Sequence, residues 1–303
     1  MATIIRNNQE IHFDRIVAYG CSYTAGAELS DYLAFPDISI DEVENLKRSI
    51  SVPQFYIHLR ESGIPQKELD AYNIAHAWPA FLSKMFNTDY LNRAKSGASN
   101  QFIVYAIERD LANLVIKETD LIVVGVTSFN RWFYLDNSAI PRVPLIGYYS
   151  EKEWPSREFY DNYLQYISGA NDAYSWSSAT RYLTLLSEKL GHRILLQPLI
   201  SDGGWSDFKS LQIHNDMQKY GRDNANLIKH SLNNVESTPQ REFMNTMKHL
   251  NNSSCIISKL NTFSKVTGHC FSEPWPISHA FGHPTQQQQE QFAEFIYKEL
   301  TNE

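Results

Sequence analysis

The run Asp120-Leu121-Ile122-Val123-Val124-Gly125-Val126 constrains this chain more than any other stretch. It is apolar at successive positions and rich in β-branched side chains, so the strand it predicts must be covered on both faces. Such a strand belongs in a parallel sheet with helices on either side. It ends in the polar turn Thr127-Ser128-Phe129-Asn130-Arg131. Two further apolar runs end the same way. Ile16-Val17-Ala18-Tyr19 leads into Gly20-Cys21-Ser22-Tyr23-Thr24-Ala25-Gly26, and Tyr90 to Ala94 leads into Lys95-Ser96-Gly97-Ala98-Ser99-Asn100. Arg193 to Pro198 reads as a fourth strand.

Helical spacing fills the intervals. Trp78, Phe81, Leu82, Met85 and Phe86 recur at the helical period, with Pro79 suited to a first turn. A helix from about Gln101 to Glu118, capped by Ser99 or Asn100, places Ile103, Ile107, Leu111, Leu114 and Val115 on one face. Thr285 can cap a last helix whose apolar face is Phe292, Ala293, Phe295, Ile296 and Leu300. Strand–helix alternation with polar turns after each strand predicts a doubly wound α/β fold, a parallel sheet between layers of helices. The turns at Ser22, Gly97 and Thr127 would then share one sheet edge, where open α/β sheets bind ligands.

The 303 residues read as a single domain, 1–303, with insertions near 28–70 and 201–245. In the first insertion Phe55, Tyr56, Ile57 and Leu59 either line a substrate wall or pack the insertion down, and packing is the preferred reading. The stretch 132–155 is irregular and aromatic, 157–190 reads as helical, and 241–250 as a short helix. Gln286 to Gln289 reads as a low-complexity patch too short to matter.

Bulk properties exclude some classes. A net charge of −7, with no cluster of Lys and Arg, argues against a nucleic-acid surface. No apolar run approaches the ~20 residues that span a bilayer, and the first residues lack a signal-peptide core. The expectation is a protein cytoplasmic at synthesis, compatible with later association with a virion, and with neither nucleic acid nor membrane as partner. Cys21, Cys255 and Cys270 cannot all pair within the chain and read as reduced thiols. The sequence leaves the oligomeric state open.

Ser22 follows a strand at a Gly-bearing turn, so its hydroxyl can face a crevice that backbone N–H groups also face. Those are the two needs of an acyl-transfer nucleophile; the alternative is a serine that merely caps a helix. Cys21 points to the other side and reads as a buried thiol. His279 and His283 are four apart, with Cys255, His269 and Cys270 upstream. That spacing suits a metal only on a helix, which Gly282 and Pro284 break, so no metal and no cofactor is expected. Arg131 reads as a brace of its own loop.

Four blocks, in order, resemble the SGNH/GDSL hydrolase family. Gly20-Cys21-Ser22-Tyr23-Thr24 resembles its Gly-Asp-Ser nucleophile block. Asn92 to Asn100, containing Gly97, resembles the second block, whose glycine N–H is an oxyanion donor. Gly125-Val126-Thr127-Ser128 stands where the family has Gly-x-Asn-Asp, and His283-Pro284 where it has Asp-x-x-His-Pro. The wording is most similar to divergent phage and bacterial members. Three positions depart: Cys21 replaces the aspartate before the serine, Thr127 the oxyanion asparagine, and Ala280 the triad aspartate.

The resemblance implies a three-layer α/β/α fold with a parallel sheet of flavodoxin-like order, and a serine esterase that cleaves a small acyl ester, best an O-acetyl group on a carbohydrate, through an acyl-serine intermediate. Ser22 and His283 would be catalytic, and the oxyanion hole would be Ser22 N–H, Gly97 N–H and the Thr127 hydroxyl, with Asn130 as a further donor candidate. With alanine at 280, the expected partner of His283 is a backbone carbonyl of 278–281, or a distant carboxylate such as Glu273 or Asp202, giving a Ser–His dyad or a slow enzyme. The alternative is an SGNH-like binding or virion-structural protein with weak or no catalysis. Transfer of the acyl group to an acceptor other than water reads the same in sequence.

Overall fold

Among the described residues nine strands and seven helices make up the fold in a computed structural model that describes residues 1–6, 9–50, 52–127 and 283–301, with the pieces 134–135, 141–142, 182–183, 185–187, 191, 193–199, 256–257 and 266–267. The chain opens with an antiparallel hairpin, β1 (Ala2–Arg6) and β2 (Gln9–Phe13), which the sequence reading had no expectation for. Ile4 and Phe13 anchor it in the core. Then come β3 (Arg15–Tyr19), β4 (Asp89–Asn92) and β5 (Asp120–Val126). Two-residue strands β6 (Tyr134–Leu135) and β7 (Pro141–Arg142) pair with each other, and β8 (Arg193–Pro198) and β9 (Ile256–Ile257) complete the set.

Five strands form one parallel sheet in the order β4-β3-β5-β8-β9. Counted along the chain within that sheet, the order is 2-1-3-4-5, the flavodoxin-like arrangement, and its switch point lies between β3 and β5. All seven residues of β5 are buried, as its composition predicts. Arg15 at the start of β3 clamps Asp120 at the start of β5, with Nε 3.1 Å and Nη2 2.6 Å from the carboxylate oxygens.

The helices are α1 (Ser22–Ala25), α2 (Ile40–Ser49), α3 (Val52–Glu61), α4 (Gln66–His76), α5 (Trp78–Met85), α6 (Asn100–Ala112) and α7 (Gln286–Thr301). The predicted helix over 101–118 ends six residues early. Asn113 N–H turns back to Arg109, Leu114 takes a left-handed φ of 57°, and Val115 N–H bonds the Asp110 carbonyl at 2.8 Å. The chain must leave the helix axis there to enter β5. Leu114 is therefore 84% exposed rather than on the buried face with Ile103 and Ile107.

The Asp110 carboxylate of α6 joins that helix to the sheet. It accepts from Tyr19 Oη at 2.9 Å and from Arg93 Nε at 2.7 Å. Burial pushes its pKa up, but the hydrogen bonds from Arg93 and Tyr19 outweigh burial and hold it below the usual carboxylate range.

The first insertion is helical and carries its own small core. A 3-10 turn (Asp31–Ala34), α2, α3 and α4 bury Ala34, Val43, Phe55, Leu59 and Leu69 against one another. Phe55 and Leu59 thus pack the insertion down, and Ile57 is exposed. The helix start at Ser39 is a capping box, Ser39 Oγ accepting from Glu42 N–H while the Glu42 carboxylate accepts from Ser39 N–H. The second insertion, 201–245, and the helices expected over 157–190 and 241–250 lie almost wholly outside the described residues.

Candidate active site

Two glycines make the serine turn. A Cβ on Gly20, after β3, would lie 2.2 Å from Thr24 Oγ1, and one on Gly125, in β5, 2.5 Å from the same atom. Their absence lets Thr24 of α1 sit down against both strands, so the Ser22 turn lies directly over the switch point. Cys21 is the N-cap and its side chain makes no capping bond; it is buried. Ser22 is the first helical residue, whose N–H the helix itself cannot use. Gly26 closes the turn at φ 70°, its N–H on the Ser22 carbonyl.

Side-chain amides tie the three predicted turns together. Asn92, at the end of β4, donates Nδ2 to the Thr24 carbonyl at 2.6 Å, and its Oδ1 accepts from Ala94 N–H at 3.1 Å. Lys95 N–H reaches the Gly20 carbonyl at 3.1 Å, which sets the next turn beside Cys21. In that turn Gly97 has φ 78° and Ala98 N–H returns to the Lys95 carbonyl, as a type II turn requires. Asn100 then grips both backbone groups of Thr127, Nδ2 on its carbonyl and Oδ1 on its N–H, each at 3.0 Å. The Thr127 hydroxyl is buried and has no hydrogen-bond partner among the described residues.

His283 comes in from the other end of the chain. Thr285 and Gln288 form a second capping box: Thr285 Oγ1 accepts from Gln288 N–H, and Gln288 Oε1 accepts from Thr285 N–H. Gln289 is fully buried. Its Oε1 accepts from Trp78 N–H at 3.0 Å, and its Nε2 donates to the Tyr23 carbonyl at 3.2 Å. The glutamine patch therefore fixes α7 to α5 and to the serine turn, which corrects the reading that it is too short to matter. The signal was present: Thr-x-x-Gln before an apolar periodic run is a capping-box signature.

Fixed in this way, the His283 ring packs edge-on against Tyr23, the residue after Ser22, at 6.1 Å between centroids. Among the described residues no hydrogen bond joins the Ser22 hydroxyl to that ring. Nδ1 of His283 is hydrogen-bonded to Glu28 Oε1. A carboxylate can only accept, so Nδ1 carries the proton and Nε2 is left as the basic nitrogen.

Glu28 was not among the carboxylates that the sequence put forward. It is buried, adopts φ 71°, and its Oε2 lies 3.3 Å from the buried Nζ of Lys47, which also meets Asp31 at 2.7 Å. Nothing local marks Glu28. The partner it reaches is 255 positions away. Glu273, Asp202 and the 278–281 backbone, expected in that role, lie outside the described residues, as do Asn130, Arg131, His279, Cys255, His269 and Cys270.

Fold and site together define a doubly wound α/β protein of flavodoxin strand order, with a serine turn and a carboxylate-bound histidine at its switch point. No family model and no curated protein matches the chain. Solved structures similar to it include a lipolytic protein of the G-D-S-L family from Desulfitobacterium hafniense, at 10% identity and TM-score 0.44, covering 94% of this chain and 99% of that one. Another G-D-S-L family member, from Veillonella parvula, is 9% identical with TM-score 0.42, covering 94% and 96%. An acetyl xylan esterase from the rumen bacterium Butyrivibrio proteoclasticus is 12% identical with TM-score 0.41, covering 98% of this chain and 66% of its own. Among the described residues no group of three or more His, Cys, Asp or Glu is placed to hold a metal, and no helix is long and apolar enough to cross a membrane.

Proposed function

We propose that this chain is a serine ester hydrolase with Ser22 as nucleophile and His283 as general base. The observation that carries the reading is the bond from His283 Nδ1 to a buried carboxylate, in a loop packed on the serine turn. In the neutral ring that bond puts the free lone pair on Nε2, the site a base needs to take the proton of a hydroxyl.

In the first half-reaction Ser22 Oγ forms a bond to the acyl carbon as its proton passes to His283 Nε2. The carbonyl π pair moves to oxygen, where the N–H groups of Ser22 and Gly97 and the hydroxyl of Thr127 donate to it. The pair then returns, the ester C–O bond breaks, and Nε2 gives its proton to the departing alkoxide. Water repeats the sequence on the acyl-serine, releasing the acid and restoring Ser22. The substrate class follows from the motif resemblance: a small O-acyl group on a carbohydrate.

A fluorophosphonate probe tests the assignment. Stoichiometric labelling of Ser22, abolished in Ser22→Ala, together with a fall of at least about 10⁴-fold in p-nitrophenyl acetate hydrolysis, is the expected result. Folded wild-type protein that neither takes the label nor hydrolyses the ester would leave a binding protein that shares the fold, and equal hydrolysis by Ser22→Ala would reject Ser22 as the nucleophile.

A further inference from the structure

The carboxylate on His283 does not come from the loop that carries the histidine. It comes from the segment that follows the serine turn, and a lysine of the inserted helices holds it. We propose that Glu28 is the residue that orients His283 and sets its tautomer, and that Lys47 is a positioning residue for Glu28. The proposal rests on the hydrolase reading of Ser22 and His283, and it makes the inserted helices part of the catalytic apparatus.

Four observations converge on this assignment. Glu28 divides its two oxygens, Oε1 to His283 Nδ1 and Oε2 to Lys47 Nζ, so the plane of the carboxylate is fixed at both ends. Its side chain is 3% exposed and that of Lys47 0%, so the carboxylate and its lysine lie out of bulk water, while the His283 side chain is 21% exposed. Glu28 has a left-handed backbone, φ 71°, a conformation that costs a non-glycine residue free energy and persists where the surroundings impose it. Finally, Ala280 removes the aspartate from the position where the resembling family carries its acid.

The surroundings of this pair come from three elements: Lys47 of α2 on the carboxylate, Asp31 of the 3-10 turn on Lys47, and the Tyr23 ring of α1 against the imidazole. When His283 takes the serine proton, the imidazolium keeps its Nδ1–H on an ionised acceptor. That charge-assisted bond strengthens as positive charge develops, so it favours the transition state over the ground state.

The Nδ1–H bond has a spectroscopic signature. In protein labelled with 15N-histidine, the neutral His283 ring should be the Nδ1–H tautomer in both wild type and Ser22→Ala. Finding the Nε2–H tautomer in the wild type overturns the proposal, whether or not any variant folds. Glu28→Gln keeps the shape but presents an amide that can donate to Nδ1, so it should move the ring toward the Nε2–H tautomer. In kinetics it should lower kcat by about 10³–10⁴-fold with KM changed far less. An unmoved tautomer, or kcat within a few-fold of wild type, rejects the role. Hydrolysis that survives Ser22→Ala while the tautomer still responds to Glu28→Gln rejects the nucleophile and leaves the Glu28 assignment standing.

Discussion

The two halves of the site are held by different physics. The serine half is a lattice of neutral contacts. Asn92 pins the Thr24 carbonyl, Asn100 grips Thr127 front and back, and Gly20 and Gly125 give up their side chains so that Thr24 can lie against two strands. In the histidine half neutral bonds of Gln288 and Gln289 seat the helix, but the carboxylate that takes the His283 Nδ1–H is held by ions: Glu28 to Lys47, Lys47 to Asp31. Neutral amide bonds to backbone keep their strength across pH and salt. A buried ion pair keeps its strength only while both charges are present, and loss of one strands the other. The serine turn is thus set by the sheet, and the carboxylate on the histidine by inserted helices that have a core of their own.

The largest expected effect follows from removing the cation. Lys47→Met preserves most of the buried volume and leaves Glu28 and Asp31 side by side in a dry site. The expected loss is about 3–5 kcal/mol of unfolding free energy, read by urea denaturation. Activity measured on the fraction that remains folded should fall as well. A loss under about 1 kcal/mol would show that the charges do not hold this half, and the contrast drawn above would fail.

A smaller effect tests the serine half. In Gly125→Ala the new Cβ meets Thr24 Oγ1 at 2.5 Å and Leu199 Cδ1 at 2.9 Å, so α1 must lift. Overpacking of this kind costs about 1–3 kcal/mol. Thr24→Ala removes the atom that clashes, and Thr24 Oγ1 has no hydrogen-bond partner among the described residues, so little else is lost. The double variant should therefore recover a good part of the stability, giving a coupling energy by double-mutant cycle. Purely additive losses would mean that the helix sits on β5 for some other reason.

The same contrast explains what could be read from the residues in a row. The serine half is local in sequence. Each strand announces itself by an apolar run, and each turn by glycine and small polar residues at its end, so Ser22, Gly97 and Thr127 could be placed at one sheet edge. Where the expectation slipped, as at Leu114, the chain had to turn toward β5, and helical periodicity holds no information about the next element. The histidine half depends on contacts across hundreds of positions. His283 was legible because it precedes a capped helix. Glu28 was not, because it lies in an acidic, irregular stretch, and a carboxylate there reads as solvated surface until Lys47 is seen buried beside it. Gln289 was missed for the same reason: its two partners, Trp78 and Tyr23, adjoin only in the folded chain.

Thr127 separates stability from catalysis within the serine half, and here the expected change in stability is the smallest and of opposite sign. Its hydroxyl is buried without a partner among the described residues, while Asn100 secures its backbone. An unpaired buried hydroxyl carries a desolvation cost with no compensating bond. Thr127→Val replaces it with a methyl of similar shape, so unfolding free energy should stay level or rise by about 1 kcal/mol. Hydrolysis should nonetheless fall by about 10²–10³-fold, the usual effect of losing one oxyanion donor, with the fall in kcat rather than in KM. A rise in stability without loss of rate would take Thr127 out of the oxyanion hole, leaving the N–H groups of Ser22 and Gly97 to act without a side-chain donor. A loss of stability would mean instead that the hydroxyl has a partner beyond the described residues, and that this corner of the serine half is held by more than its backbone.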